Sequence, residues 1–164
     1  GIAVATGLLY ESLGFLEDAF LLRTVHTPTD SERRRMVNPR KAYPVDPGLI
    51  HVFERSGKPN LGHALETCVL LELERRGAEV QYVRTAEGYE VDFLAGDPEG
   101  NQVLIQVCAS LDHPDTRERE IRALLDAARE FPEAGLLVIC LDHPTAIELP
   151  DGIAFQSAVE WFLP

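Results

Sequence analysis

The sequence predicts an α/β protein: a mixed sheet flanked by helices, with a small N-terminal helix-plus-wing element in front of it. Three observations carry that prediction. Residues 78–110 hold three strand-like runs, AEVQYVRT, GYEVDFLAG and NQVLIQVCAS, separated by the tight turns AEG and GDPEGN. Glycine-bearing turns between alternating runs signal an antiparallel meander. Helical patterns stand on both sides of it, LGHALETCVLLELERR before and HPDTREREIRALLDAAREF after. Then GLLVICL supplies the continuous apolar strand expected inside a sheet covered on both faces.

In chain order, residues 6–20 space Leu9, Leu13, Leu16 and Phe20 three or four apart, one helical face. LLRTV, the basic stretch HTPTDSERRRMVNPRK and the short AYPV follow. Helix, strand, basic loop and strand suit the last helix and wing of a winged helix equally with a helix capped by a hairpin on the main domain. VDPGLIHVFERSGKPN gives a turn, a short helix and a Lys-Pro-Asn break, which sets the expected boundary between residues 1–60 and 61–164. The helix over 61–76 stops at Gly77. In the helix after the meander, Ile121, Leu124, Leu125 and Ala128 are expected to face inward, with Asp115 or Thr116 as N-cap. IAFQSA reads as a weaker strand and VEWFL as a terminal helical turn. LDHP occurs at 111–114 and 141–144, each after a strand, where Asp and Pro serve as turn formers.

A chain of 164 residues, 45% hydrophobic and 26% charged, can bury a real core. No run approaches a membrane span and no leader pattern opens the chain, so the expected setting is cytoplasmic. An initial Gly suggests a piece of a longer protein. Cys68, Cys108 and Cys140 lie far apart in apolar contexts, as reduced structural thiols do, and no Cys/His cluster has zinc spacing. The net charge of −12 argues against indiscriminate nucleic-acid binding. It is uneven: residues 1–62 carry +1 and residues 63–164 carry −13. Both lysines, Lys41 and Lys58, fall in the first part.

Gly57-Lys58 is followed by Pro59 where a phosphate-binding loop needs Ser or Thr, and neither G-x-G-x-x-G nor G-x-S-x-G occurs. ATP or dinucleotide chemistry is therefore not expected in this chain. What remains is carboxylate-based: Glu66 on a helix, Asp92 on the second meander strand, and Gln106 and Cys108 on the third. Strand alternation points Gln106 and Cys108 to one face, and a helix-then-meander unit can bring all four to one end of the sheet. A metal-dependent phosphodiesterase needs two or three oxygen ligands for magnesium and a positive group near the attacking water. The alternative is that Glu66 and Asp92 are ordinary surface charges.

GHALETCVLLELERRG, YVRTAEGYEVDFLAG, VLIQVCAS and TREREIRALLDAAREF resemble, in order and spacing, the C-terminal domain of unknown function carried by a large family of prokaryotic AAA+-like ATPases. YESLGFLEDAFLL and NPRKAYPVDPGLI resemble the segment that joins that domain to the ATPase through a winged-helix-like element. The resemblance implies a restriction-endonuclease-like, PD-(D/E)XK fold over residues 61–164. It places the helix glutamate at Glu66, the strand aspartate at Asp92 and the E-x-K pair at Gln106 and Cys108. Asp92 and Gln106 would then be weak magnesium ligands, with magnesium the cofactor of any surviving nuclease activity and ATP confined to an upstream ATPase.

Gln106 has lost the negative charge of that glutamate, and a buried thiol at 108 is a soft ligand without the lysine's fixed charge. No lysine lies beyond position 58. The arginines nearby, Arg117, Arg119 and Arg122, bind phosphate yet make poor general bases. The expected function is a catalytically degenerate nuclease-fold module of a larger ATPase, serving in binding or regulation. A weakly active magnesium nuclease and a structural oligomerisation module are the other readings. Arg33, Arg34, Arg35, Arg40 and Lys41 form the expected DNA- or RNA-contacting stretch. The chain's own ATPase domain and a second copy are the other expected partners, and a membrane is not.

Overall fold

Residues 6–53, 60–142 and 148–163 are described by a computed structural model of the chain. Lys58 and Pro59 at the expected boundary, and His143 and Pro144 of the second LDHP, lie outside the described residues.

The N-terminal part comprises α1 (Thr6–Asp18), β1 (Leu22–Val25), α2 (Glu32–Val37), β2 (Lys41–Pro44) and α3 (Gly48–Phe53). α4 (Leu61–Arg75), β3 (Glu79–Arg84), β4 (Glu90–Gly96), β5 (Gln102–Cys108), α5 (Pro114–Glu130), β6 (Gly135–Cys140), β7 (Ile153–Ser157) and α6 (Ala158–Phe162) follow. The five strands β3 to β7 form one sheet in sequence order. β3, β4 and β5 pair antiparallel, and β5, β6 and β7 pair parallel. The mixed sheet expected from the sequence is present. The basic stretch, expected as a loop, contains the short helix α2, which Ser31 caps by accepting from the Arg34 N–H.

Local chemistry explains the boundaries. The Asn60 side chain caps α4 by accepting from the His63 N–H. Gly77, at φ +78°, ends that helix, with Gly77 N–H donating to Glu74 C=O and Ala78 N–H to Leu73 C=O. These are the paired bonds of a Schellman stop, which requires the left-handed backbone that glycine adopts without strain. α5 begins two residues earlier than an Asp115 cap would set and three earlier than a Thr116 cap: His113 is the N-cap and Pro114 the first helical residue. Proline's missing N–H costs nothing there, and Asp115 instead favours the helix dipole from within the first turn.

The sheet is covered on both faces. Leu65, Val69, Leu70 and Leu73 of α4 pack on Phe93, Ile105, Val107 and Ile139. Ala123, Leu124 and Ala127 of α5 pack on Leu104, Cys108, Val138 and Cys140. The inward stripe of α5 is therefore rotated from the expected one. Leu125 is exposed, and the stripe's N-terminal member is the buried Glu120. β1 and β2 pair antiparallel as a separate two-stranded sheet, yet Val25 and Tyr43 belong to the same core as α4. Burying a large side chain such as Tyr43 contributes roughly 2 kcal/mol, so the hairpin is held to the main sheet by packing. Among the described residues no helix is long and apolar enough to cross a membrane.

Candidate functional site

The cleft lies where the end of β5 meets the start of β4, between α4 and α5. It encloses about 550 Å³, and its lining includes His63, Glu66, Glu90, Asp92, Gln106, Cys108, Arg119 and Glu120. Each backbone element contributes in a way the alternation of its residues dictates. β4 enters at Glu90, just after the Thr85–Gly88 turn, and presents Asp92. β5 presents Gln106 and Cys108 on one face, as two-residue spacing requires. α4 brings Glu66, and α5 brings Arg119 and Glu120. The four residues expected as the nuclease-like set thus line one cleft.

A lysine lies among them. Lys41, from β2, places Nζ 2.8 Å from Asp92 Oδ1, 2.8 Å from Glu90 Oε1 and 3.9 Å from Glu66 Oε2. Its side chain is 19% exposed, so the ammonium is held by carboxylates more than by water. Burial works against its charge, but Asp92, Glu90 and Glu66 outweigh burial and hold the Lys41 pKa above its ordinary value. Tyr43, two residues along the same strand face, donates its hydroxyl to Glu66 Oε2 at 3.2 Å and stacks on His63. Burial first, and then the Glu66 and Asp92 charges, push the Tyr43 phenol pKa upward. Burial together with Lys41 lowers that of His63, which keeps the ring neutral near pH 7.

Asp92 is saturated. Oδ1 accepts from Lys41, and Oδ2 accepts from the Val107 N–H at 3.0 Å. Glu66 is pushed up to about 7, first by burial and then by the Asp92 charge, with Lys41 and Tyr43 pulling the other way.

A second network lies on the α5 side. Gln106 Nε2 donates to Glu120 Oε2 at 2.6 Å, and Glu120 Oε1 accepts from Arg119. A carboxylate only accepts, so the amide nitrogen must face Glu120. The Gln106 Oε1 is left buried, with no donor among the described residues. Cys108 Sγ lies 3.0 Å from Cys140 Sγ, its partner across the parallel β5–β6 pair. That contact, then burial, drives the Cys108 thiol pKa strongly upward, so this position supplies neither thiolate nor positive charge.

The expected nucleic-acid stretch divides. Arg33, Arg34 and Arg35 are exposed on α2. Arg40 is half-buried with its guanidinium 5.4 Å from the Tyr10 ring centroid, and Lys41 pairs with Asp92, Glu90 and Glu66. Of the arginines considered as lysine substitutes, Arg119 pairs with Glu120 and Arg122 with Glu118, while Arg117 lines a neighbouring surface groove. Reading the sequence missed the parts that Lys41, Tyr43, Glu90 and Glu120 play in the cleft. Two signals were present: Lys41 and Tyr43 share one face of KAYP, and Glu120 sits on the stripe of Ala123, Leu124 and Ala127.

No family model matches the chain, and no solved structure matches it. An uncharacterized protein of Methanocaldococcus jannaschii is 35% identical over 127 residues, which cover 75% of this chain and 27% of that protein. The chain thus spans about a quarter of the length of the curated relative it matches.

Proposed function

We propose that this chain is a catalytically degenerate nuclease-fold module of a larger AAA+-like ATPase, kept for binding or regulation. The order helix, three antiparallel strands, helix and two parallel strands supports a restriction-endonuclease-like reading of residues 61–164. The observation that carries the loss of catalysis is the pairing of the Lys41 ammonium with Asp92, Glu90 and Glu66. Magnesium at such a site needs carboxylate oxygens free to ligate. Lys41 pairs with Asp92, Glu90 and Glu66, Gln106 is uncharged, and Glu120 is bonded to Gln106 and Arg119. Among the described residues no three His, Cys, Asp or Glu side chains are arranged to hold a metal. The residues do not fit the metal. An ammonium has taken the place of the cation.

The test is incubation of the chain with plasmid and single-stranded DNA in magnesium or manganese, beside calorimetric titration of each metal. Neither cleavage nor binding at millimolar metal is expected. Cleavage abolished by Asp92→Ala would overturn the reading in favour of a residual nuclease. Exposed Arg33–Arg35 favours nucleic acid as one target of the module, through phosphate contact at α2. A gel shift at low salt, lost when the three are replaced by Ala, is the corresponding measurement.

A further inference from the structure

α1 carries an apolar face that the described residues leave in water. At 3.6 residues per turn, Leu8, Ser12 and Phe15 form one stripe of the helix, and Leu9 and Leu16 the next. Tyr10, Leu13 and Glu17 are half-buried on another side, where Tyr10 meets Arg40 and Glu17 accepts from Thr24. Among the described residues no member of α1 enters either hydrophobic core. Ser12 donates its hydroxyl to the Leu8 C=O at 2.7 Å, so the small side chain between Leu8 and Phe15 asks no acceptor from outside. Phe20, just past the helix end, points the same way. It holds φ +56°, the left-handed backbone that a helix stop usually gives to glycine. A side chain in that conformation costs roughly 1–2 kcal/mol. The ring is nevertheless 71% exposed, 5.9 Å from the Arg23 guanidinium, and among the described residues no core contact offsets the strain.

We infer that this face is where a second copy of the chain docks, the two α1 helices crossing antiparallel about a two-fold axis near Ser12. Area, shape and charge each select a second copy. Leu8, Leu9, Phe15, Leu16, Phe20 and Leu21 are between 38% and 72% exposed. Together they leave on the order of 700 Å² of mostly apolar surface, more than the patches of a typical monomer and close to the roughly 800 Å² each partner gives a standard interface. A two-fold interface also needs ridge and hollow on the same patch. Leu16 and Leu21 belong to the exposed face and, with Leu22, Pro44, Leu49 and Ile50, line an apolar groove of about 520 Å³. An antiparallel crossing brings Leu8 and Leu9 of the second copy toward that groove, and the exchange is reciprocal. Residues 63–164 of the two copies, at −13 each, repel one another, whereas residues 1–62 carry +1. Two copies therefore approach through the N-terminal part. Neither Lys41 nor the cleft carboxylates belong to this surface.

Sedimentation equilibrium of the chain is expected to show monomer of 18.2 kDa in exchange with a species of twice that mass. The Kd should be about 10 μM or tighter, as for weak interfaces of this size. Phe15→Glu sets a charge from each copy into the contact and should weaken association about a hundredfold or more, with the circular dichroism of the monomer unchanged. Phe20→Gly removes a strained backbone and an interface contact at once. Its monomer should melt at the same or a higher temperature while the dimer weakens about tenfold, whereas a ring that served only the fold would lower the melting temperature. Val159→Glu, on the exposed surface of α6, is the control that leaves association intact. Oxidation by copper phenanthroline in air should link Ser12→Cys chains in pairs above the level of the unsubstituted chain. Glu11→Cys, outside the apolar stripes, should stay at that level. Should Phe15→Glu unfold, Phe20→Gly and the cross-linking decide. A single 18.2 kDa species up to about 0.5 mM, association unmoved by either phenylalanine variant, or equal cross-linking from positions 11 and 12 would each overturn the inference.

Discussion

Lys41 Nζ and Asp92 Oδ1 stand 2.8 Å apart across 51 residues of sequence, and this pair joins the N-terminal hairpin to the strand that a nuclease-like site would be built on. It is a contact between the two parts, residues 1–60 and 61–164, that the sequence suggests. The positive charge that neither Gln106 nor Cys108 supplies comes from Lys41 of β2, as a partner of the carboxylates.

Lys41→Ala is expected to destabilise the chain by about 3 kcal/mol, because removing one member of a buried ion pair leaves its partners charged and uncompensated. The same variant frees Asp92, Glu90 and Glu66 from their ammonium. Manganese is therefore expected to raise its melting temperature and leave that of the wild type unchanged. Thermal unfolding with and without millimolar metal measures both effects.

Glu66→Gln is expected to change the pH dependence of stability. The folded Glu66 has its pKa raised from 4.5 to about 7, so its contribution is fully present below about pH 4.5 and is lost as pH rises through 7. An amide at this position never carries the charge and still accepts from Tyr43. The variant should match the wild type near pH 4.5 and exceed it by about 3 kcal/mol at pH 8. Denaturant midpoints at the two pH values provide the comparison.

Gln106→Glu is expected to set two carboxylates against each other where Gln106 and Glu120 now bond at 2.6 Å, at a cost of about 3 kcal/mol at pH 8. Adding Glu120→Gln exchanges donor and acceptor and should restore most of that loss. A double-mutant cycle in urea reads the coupling directly.

Alkylation is expected to follow burial. Cys68 is half-buried, whereas Cys108 and Cys140 are buried against each other. In the native chain at pH 8 iodoacetamide should mark Cys68 first, and the other two only in denaturant. Peptide mass spectrometry at timed intervals resolves the order.

The mixed sheet was legible because each of its strands has its own local signature, alternation in β4 and β5 and an unbroken apolar run in β6. The cleft's outer partners were less legible, for reasons particular to each residue. Lys41 lies beside three arginines and next to Arg40, so its charge read as part of a basic surface. Only tertiary packing of Tyr43 turns that strand inward. Glu120 was obscured by the habit of assigning charged helical positions to solvent. Its place on the inward stripe follows once Leu125 is exposed, a rotation that apolar spacing alone does not determine because Leu124 and Leu125 are adjacent.

The β1–β2 ladder pairs Leu22 with Pro44, Arg23 with Tyr43, Thr24 with Ala42 and Val25 with Lys41. A slip of one residue along it would turn Ala42 inward and swing Lys41 and Tyr43 to the outside, because strand side chains alternate faces. The hairpin's alignment is thus a setting for the electrical balance of a cleft on another sheet. The connection over residues 26–40 carries α2, and it is tied to β3 where Tyr82 donates to His26 C=O and to Pro39 C=O. A single insertion within 41–44 would leave Asp92, Glu90 and Glu66 facing one another without a counter-ion. Four short rungs of backbone pairing decide whether the interior there is neutralised or bare.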